Sequence, residues 1–158
     1  MEALLLLGGS MGDPLATLGR AEAMLAERAG RVLARSRDHW TEPHGFTDDR
    51  LFLNRALLLD TEREPLDLLR GCLAIEQELG RTRGHTTRYA ARTLDIDILL
   101  IEDQVLDGPG LSVPHPRLHE RAFALAPAAD VAPLLEHPRL HRTLIDLLND
   151  IRQRALPA

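Results

Sequence analysis

An order of elements narrows the fold more than any single residue does. Short apolar runs at 2–8, 31–41, 51–60 and 93–101 are interleaved with two segments of helical length. The run EALLLLG reads as a buried strand and leads into GGSMGDP, where Asp13 is placed to cap a helix and Pro14 to occupy its first position. A helix is therefore predicted over 14–29, ended by Gly30. RVLARSRDHWT reads as a second strand, EPHGFTDDR as an irregular loop and LFLNRALLLD as a third strand. Glu64 and Pro65 open a second helix with Leu69, Cys72, Leu73 and Leu79 as its apolar stripe, and Gly80 closes it. In TLDIDILLI, Leu94, Ile96 and Ile98 face one way and Thr93, Asp95 and Asp97 the other. The order strand, helix, strand, strand, helix, strand is that of an α+β, ferredoxin-like sandwich, with helices over one face of a mainly antiparallel sheet. Additional C-terminal elements follow: a small hairpin and turn over 103–115, a helical region over 116–129 and a terminal helix over 141–153.

The 158 residues are 44% hydrophobic, enough for one core, and no repeat, low-complexity tail or linker divides them, so 1–158 is expected to form a single domain. With 24 acidic residues against 19 basic ones, a net charge of −5 disfavours a general nucleic-acid or acidic-membrane surface. Every basic side chain is arginine, which excludes Schiff-base lysine chemistry and a GxxxxGK phosphate loop. Cys72 is the sole cysteine, which excludes an intrachain disulfide, and its place in LLRGCLAIEQEL marks it as a core thiol. The N-terminal LLLL run has no basic prefix, and no segment reaches the roughly 20 apolar residues of a membrane span. A cytoplasmic location is the expectation.

Asp95 and Asp97 carry the strongest chemical signal. Spaced by two on one strand, their carboxylates share a face, where solvent, arginine or a metal must offset their repulsion. Oxygen-only ligands of this kind suit magnesium, and the alternative is a solvated strand face. Arg81, Arg83, Arg88 and Arg92 precede the pair in RTRGHTTRYAAR, a segment without hydrophobic periodicity that reads as a mobile cationic loop. Guanidinium forks beside paired acids match a magnesium nucleotide, although an acid–arginine network offsetting surface charge has the same composition. LGGSMGD lacks the full dinucleotide fingerprint and reads as a structural turn. His115 lies between two prolines and alone reads as a turn histidine. Phe52, Asn54 and Phe123 could line a slot for a flat heterocycle, but aromatics by themselves belong first to the core.

Taken together, LGGSMGD, the EPHG loop, FLN, IEQELGR, RTLDIDILL and SVPHPRLHERAF closely resemble the 6-hydroxymethyl-7,8-dihydropterin pyrophosphokinase family over nearly the whole chain. The resemblance implies a ferredoxin-like enzyme of folate biosynthesis that moves pyrophosphate from ATP to a pterin with two magnesium ions. Asp95 and Asp97 match its metal-binding acids. Glu76, Arg83, Arg88, Tyr89, Arg92, Ile98, Ser112, His115 and Arg121 fall at or near its nucleotide-binding positions. Phe52, Asn54 and Phe123, with Asp95 and the loop at Pro43, His44 and Gly45, match its pterin pocket. Among these, Arg83, Arg92, Asp95, Asp97, His115 and Arg121 are the residues expected to act on the transferring group. Ser10 stands where the family has asparagine, RYAAR stands where relatives carry RWGPR, so Ala90 and Ala91 remove constraints, and Gly110 lacks an arginine found in some relatives. The cationic segment 81–92 is expected to close over both substrates, the chain is expected to act as a monomer, and neither nucleic acid nor membrane is an expected partner. A noncatalytic nucleotide sensor and a nucleotidyltransferase attacking the α-phosphorus are the competing classes.

Overall fold

The computed structural model describes residues 1–10, 12–42, 51–80 and 94–156. The central strand, β1 (Glu2–Gly9), lies between β4 (Phe52–Asp60) and β5 (Asp95–Ile101), antiparallel to both. Beyond β4 lie β2 (Arg31–Arg35) and β3 (His39–Thr41), so the sheet runs β2-β4-β1-β5, with β3 also on β4. This is the ferredoxin-like order. Helices α1 (Pro14–Arg28) and α2 (Pro65–Gly80) cover one face. A short ribbon of β6 (Leu106–Gly108) and β7 (Leu111–Val113) follows, then a single 3-10 turn at Leu118–Glu120. Helices α3 (Ala122–Val131) and α4 (Leu144–Ala155) cover the opposite face. The C-terminal elements thus supply a second layer, which is why β1 needs no apolar–polar alternation: both its faces are buried.

Local chemistry sets the boundaries. Asp13 accepts the Ala16 N–H at 3.2 Å, capping α1 with Pro14 in its first turn. A Cβ on Gly30 would stand 2.2 Å from the Asp60 carbonyl oxygen, so the chain leaving α1 requires glycine. The predicted second strand is two strands, because Ser36 interrupts it. Its hydroxyl accepts the Ala56 N–H at 2.8 Å and donates to the Arg37 carbonyl at 2.7 Å, replacing a ladder bond and forcing a bulge. The buried stripe of α2 is Leu68, Cys72 and Ile75, with Leu69 and Leu79 packed at its margin, whereas Leu73 is exposed. A further bulge opposite Leu4 and Leu5 explains the unbroken ILLI of β5: Ile98 and Ile101 join the α1/α2 core, and Leu99 and Leu100 the α3/α4 core. Cys72 is fully buried, and desolvation, aided by the charges of Glu76 and Asp97, pushes its thiol up to about 12, which fits an inert core residue.

Asp130 ties α3 to the β3 edge, accepting from the Arg37 guanidinium at 3.0 and 3.2 Å and lying 2.8 Å from His39 Nε2. Burial alone would raise its pKa, but the hydrogen bonds from Arg37 and His39 outweigh that and lower it from 3.8 to about 2. A carboxylate depressed in the folded state contributes stability that is full above pH ~4 and is lost as pH falls through the folded value. Asp130→Asn should therefore flatten the acid limb of stability between about pH 4 and 2, and because solvent screens this surface cluster the loss is about 1 kcal/mol. Urea unfolding at a series of pH values checks this, and parallel acid limbs for variant and parent would refute it.

Candidate functional site

Two cross-strand rows make the floor of a cleft of about 730 Å³ on the α3/α4 side of the sheet. Gly8 is paired with Asn54 on one side and Asp95 on the other, and Leu6 with Ala56 and Asp97. Cross-strand partners share a face, so Asn54, Asp95 and Asp97 point into one space. Phe52 extends the floor along β4, and Arg121, Ala122 and Phe123 at the start of α3 form the opposite wall. The structure thereby brings together Phe52, Asn54, Asp95, Asp97, Arg121 and Phe123 from positions up to 71 residues apart.

The slot's dimensions follow from a missing side chain. A Cβ on Gly8 would lie 2.7 Å from Phe52 Cε1 and 3.0 Å from Asn54 Oδ1, so glycine there allows the ring and the amide to sit against the sheet. Asn54 is 1% exposed and its Nδ2 has no acceptor among the described residues. A buried amide donor without a partner costs about 1–3 kcal/mol, and one lining a cleft is poised for a ligand acceptor. Ser10 Oγ is likewise buried without a partner.

The charged groups divide the cleft. Arg121 stacks over Phe123, its guanidinium carbon 5.5 Å from the ring centroid, and forms no ion pair among the described residues. Standing at the N-terminus of α3, whose dipole is positive there, this cation calls for an anion. Asp95 and Asp97 face that wall across the cleft. Glu76 on α2 accepts the Ile96 N–H at 2.6 Å and so pins the segment of β5 between the two aspartates. Ile98 is buried against α1 and α2, so its main chain is what it can offer a ligand.

Ser112 and His115 line a neighbouring cleft of about 250 Å³ rather than the larger one. Burial lowers the His115 pKa; Asp97 opposes that and Arg121 and Arg117 add to it, so the ring is neutral near pH 7. Arg117 N–H donates to His115 Nδ1 at 3.2 Å, leaving Nε2–H as its donor. Pro43, His44, Gly45, Arg83, Arg88, Tyr89, Arg92 and the expected loop closure lie outside the described residues. Thr41, Glu42, Arg117, Glu120 and Ile151 also line the larger cleft, and sequence reasoning missed them. Glu42 opens the EPHG loop, with Thr41 beside it, and Arg117 and Glu120 lie within SVPHPRLHERAF, whereas Ile151, on the distant helix α4, carries no local pattern.

The donor set fits hard divalent cations. Two carboxylates share one face, and no cluster of three or more histidine, cysteine or acidic ligands occurs among the described residues. That matches magnesium, which keeps waters and takes substrate phosphates, better than a closed protein cage.

Residues 4–133 match the family model described as 7,8-dihydro-6-hydroxymethylpterin-pyrophosphokinase. The chain is 46% identical over 132 residues to the 2-amino-4-hydroxy-6-hydroxymethyldihydropteridine pyrophosphokinase of Methylorubrum extorquens, spanning 83% of this chain and 82% of that protein. It is 39% identical to the protein of that name from Bacillus subtilis, over 85% and 80% of the two chains. Among solved structures it resembles a Plasmodium falciparum HPPK-DHPS triple mutant with a TM-score of 0.76 at 17% identity, covering 97% of this chain and 44% of that one. The last likeness concerns the fold alone, and the chain spans less than half of that solved protein.

Proposed function

Because the chain belongs to the 7,8-dihydro-6-hydroxymethylpterin-pyrophosphokinase family, we propose that its larger cleft seats the pterin against Phe52, Asn54 and Phe123, with the ATP polyphosphate between Asp95, Asp97 and Arg121. The reaction is the ATP-dependent transfer of pyrophosphate to the hydroxymethyl group of 6-hydroxymethyl-7,8-dihydropterin, a step of folate biosynthesis. The observation that carries the site assignment is the orphaned Asn54 Nδ2, buried in the Asn54–Gly8–Asp95 row that floors the slot.

Phe52 and Phe123 orient the flat heterocycle, and the Asn54 amide reads its polar edge. The hydroxymethyl oxygen loses its proton and bonds to the β-phosphorus as the bond from that phosphorus to the α–β bridging oxygen breaks, and the bridging oxygen leaves on the α-phosphate as AMP. Asp95 and Asp97 would hold two magnesium ions, which when bound offset the charge of the triphosphate. Arg121, fixed by its stacking on Phe123, meets charge shifting onto the phosphate oxygens, and His115 supplies a neutral Nε2–H donor beside Ser112. Glu76 holds β5 in place beneath them. By the match of their motifs, Arg83, Arg88, Tyr89 and Arg92 join the nucleotide side, and Pro43, His44 and Gly45 the pterin side. Catalysis then rests on position and electrostatics. The demand for ATP supports a cytoplasmic setting, and action as a monomer is part of the same reading. No helix among the described residues is long and apolar enough to cross a membrane.

Incubating the protein with ATP, magnesium and 6-hydroxymethyl-7,8-dihydropterin should give AMP and the pterin diphosphate in equal amounts by mass spectrometry. Release of inorganic pyrophosphate would mean nucleotidyl transfer, and binding without product a nucleotide sensor.

A further inference from the structure

The pentapeptide His-Pro-Arg-Leu-His occurs twice, at 115–119 and 137–141. It is far shorter than a folding repeat, yet in both copies the Nδ1 of the leading histidine accepts the N–H two residues on, within a turn closed at Leu118 in the first and at His141 in the second. In the first, the Arg117 N–H donates to His115 Nδ1 at 3.2 Å and the Leu118 N–H to the His115 carbonyl at 3.1 Å. In the second, the Arg139 and Leu140 N–H groups donate to His137 Nδ1 at 3.2 Å, and the His141 N–H to the His137 carbonyl at 2.9 Å. A main-chain N–H only donates, so each Nδ1 is an unprotonated acceptor and each ring carries its proton on Nε2.

Both turns line the cleft of about 250 Å³ that also contains Ser112. His137 is 3% exposed, its ring edge-on to His119 with centroids 6.2 Å apart, and its Nε2–H has no acceptor among the described residues. With Nδ1 committed to the turn, the Nε2–H edge is what His137 can offer the cleft. The fixed charges there cancel, because Arg139 is ion-paired with Asp107. Neutral imidazoles, a serine hydroxyl and a neutralised ion pair match sugar hydroxyls better than phosphate, which favours unpaired cations. The second turn lies beyond residue 133, where the family match ends.

We propose that this second turn is the far wall of the nucleotide subsite, with His137 Nε2–H donating to a ribose hydroxyl of ATP alongside Ser112 and His115. The assignment rests on Ser112 and His115 being nucleotide-binding residues. His137 is then a specificity-determining residue for a ribonucleotide donor.

The test uses the full chain and three probes: ATP, 2′,3′-dideoxy-ATP and inorganic tripolyphosphate. In proton–nitrogen NMR of the imidazoles, ATP should shift both the His115 and His137 Nε2 signals, and tripolyphosphate should leave His137 unmoved. The wild-type protein should bind ATP about tenfold more tightly than the dideoxy analogue, the cost of stranding a buried donor. In His137→Asn, the side-chain oxygen still accepts the turn's N–H groups while the Nε2 donor is gone. That variant should bind the two nucleotides within about twofold of one another and tripolyphosphate as the parent does. If His115 responds to ATP and His137 does not, or if the wild type ignores the ribose hydroxyls, the His137 assignment is wrong and the nucleotide reading stands. If neither histidine responds and ATP does not bind, the nucleotide reading falls and takes the assignment with it. Should the variant fail to fold, the wild-type spectra and affinities decide alone.

Discussion

Asp97→Asn lowers turnover on the order of a thousandfold, and Asp95→Asn does the same, while both proteins stay folded. The asymmetry follows from where the two carboxylates sit. They are half-buried, two residues apart on one face of β5, in adjacent cross-strand rows through Gly8 and Leu6. An amide of the same shape fills the same space on β5, so the ligand-free fold keeps its packing. In the Michaelis complex the charge itself is needed, because a polyphosphate brings several negative charges whose counter-cations need an anionic anchor. An asparagine keeps the shape and loses the charge, so the loss should appear in kcat and in the magnesium concentration needed for half-maximal rate. Steady-state kinetics over a magnesium series, with thermal unfolding in parallel, checks this. Parental turnover in either variant would remove that residue from the metal-binding role, and a large drop in melting temperature would recast it as structural.

Much of this site was legible because its most informative residues lie on one alternating strand. TLDIDILLI announced both the strand and the shared face of Asp95 and Asp97, and the order of elements around it was enough for the sheet topology. What escaped was set by tertiary pairing. The break at Ser36 depends on a hydroxyl that meets the Ala56 N–H across the sheet, which no local pattern in RVLARSRDHWT encodes. The stripe of α2 was offset because Leu69 and Leu73 satisfy helical spacing as well as Leu68, Cys72 and Ile75 do, and only packing against β5 decides between them. Gly8 is the sharpest example. In the sequence it is one glycine in a turn-like cluster, and its role appears only when Phe52 and Asn54, more than 40 residues away, arrive within contact of its absent Cβ. Phe52 and Phe123 looked like core residues for the same reason, since burial in a core and burial in a cleft use the same side chains.

Asn54→Leu should make the free protein more stable and a far worse enzyme. In the ligand-free fold the Asn54 side chain is 1% exposed with its Nδ2 unsatisfied, which costs about 1–3 kcal/mol relative to a donor that has found an acceptor. Leucine has the same branched skeleton and nothing to satisfy, and its larger methyl groups would meet the open cleft in a row with Gly8, beside Phe52, where apolar contact is available. Relief of about 1 kcal/mol corresponds to a rise of roughly 2–4 °C in Tm for a chain of this size. The heterocycle, however, loses the donor that reads its edge and must bury its own polar atom against a methyl group. Discrimination of this kind reaches two or more orders of magnitude, so KM for the pterin should rise by about a hundredfold while KM for ATP changes little. Alanine would be a poorer choice, because the cavity it leaves would lower Tm and blur the sign. The paired readout separates the possibilities: a lower Tm with unchanged pterin affinity would mean that Asn54 holds the sheet together, whereas a higher Tm with lost affinity means that the amide is kept, against stability, for the ligand.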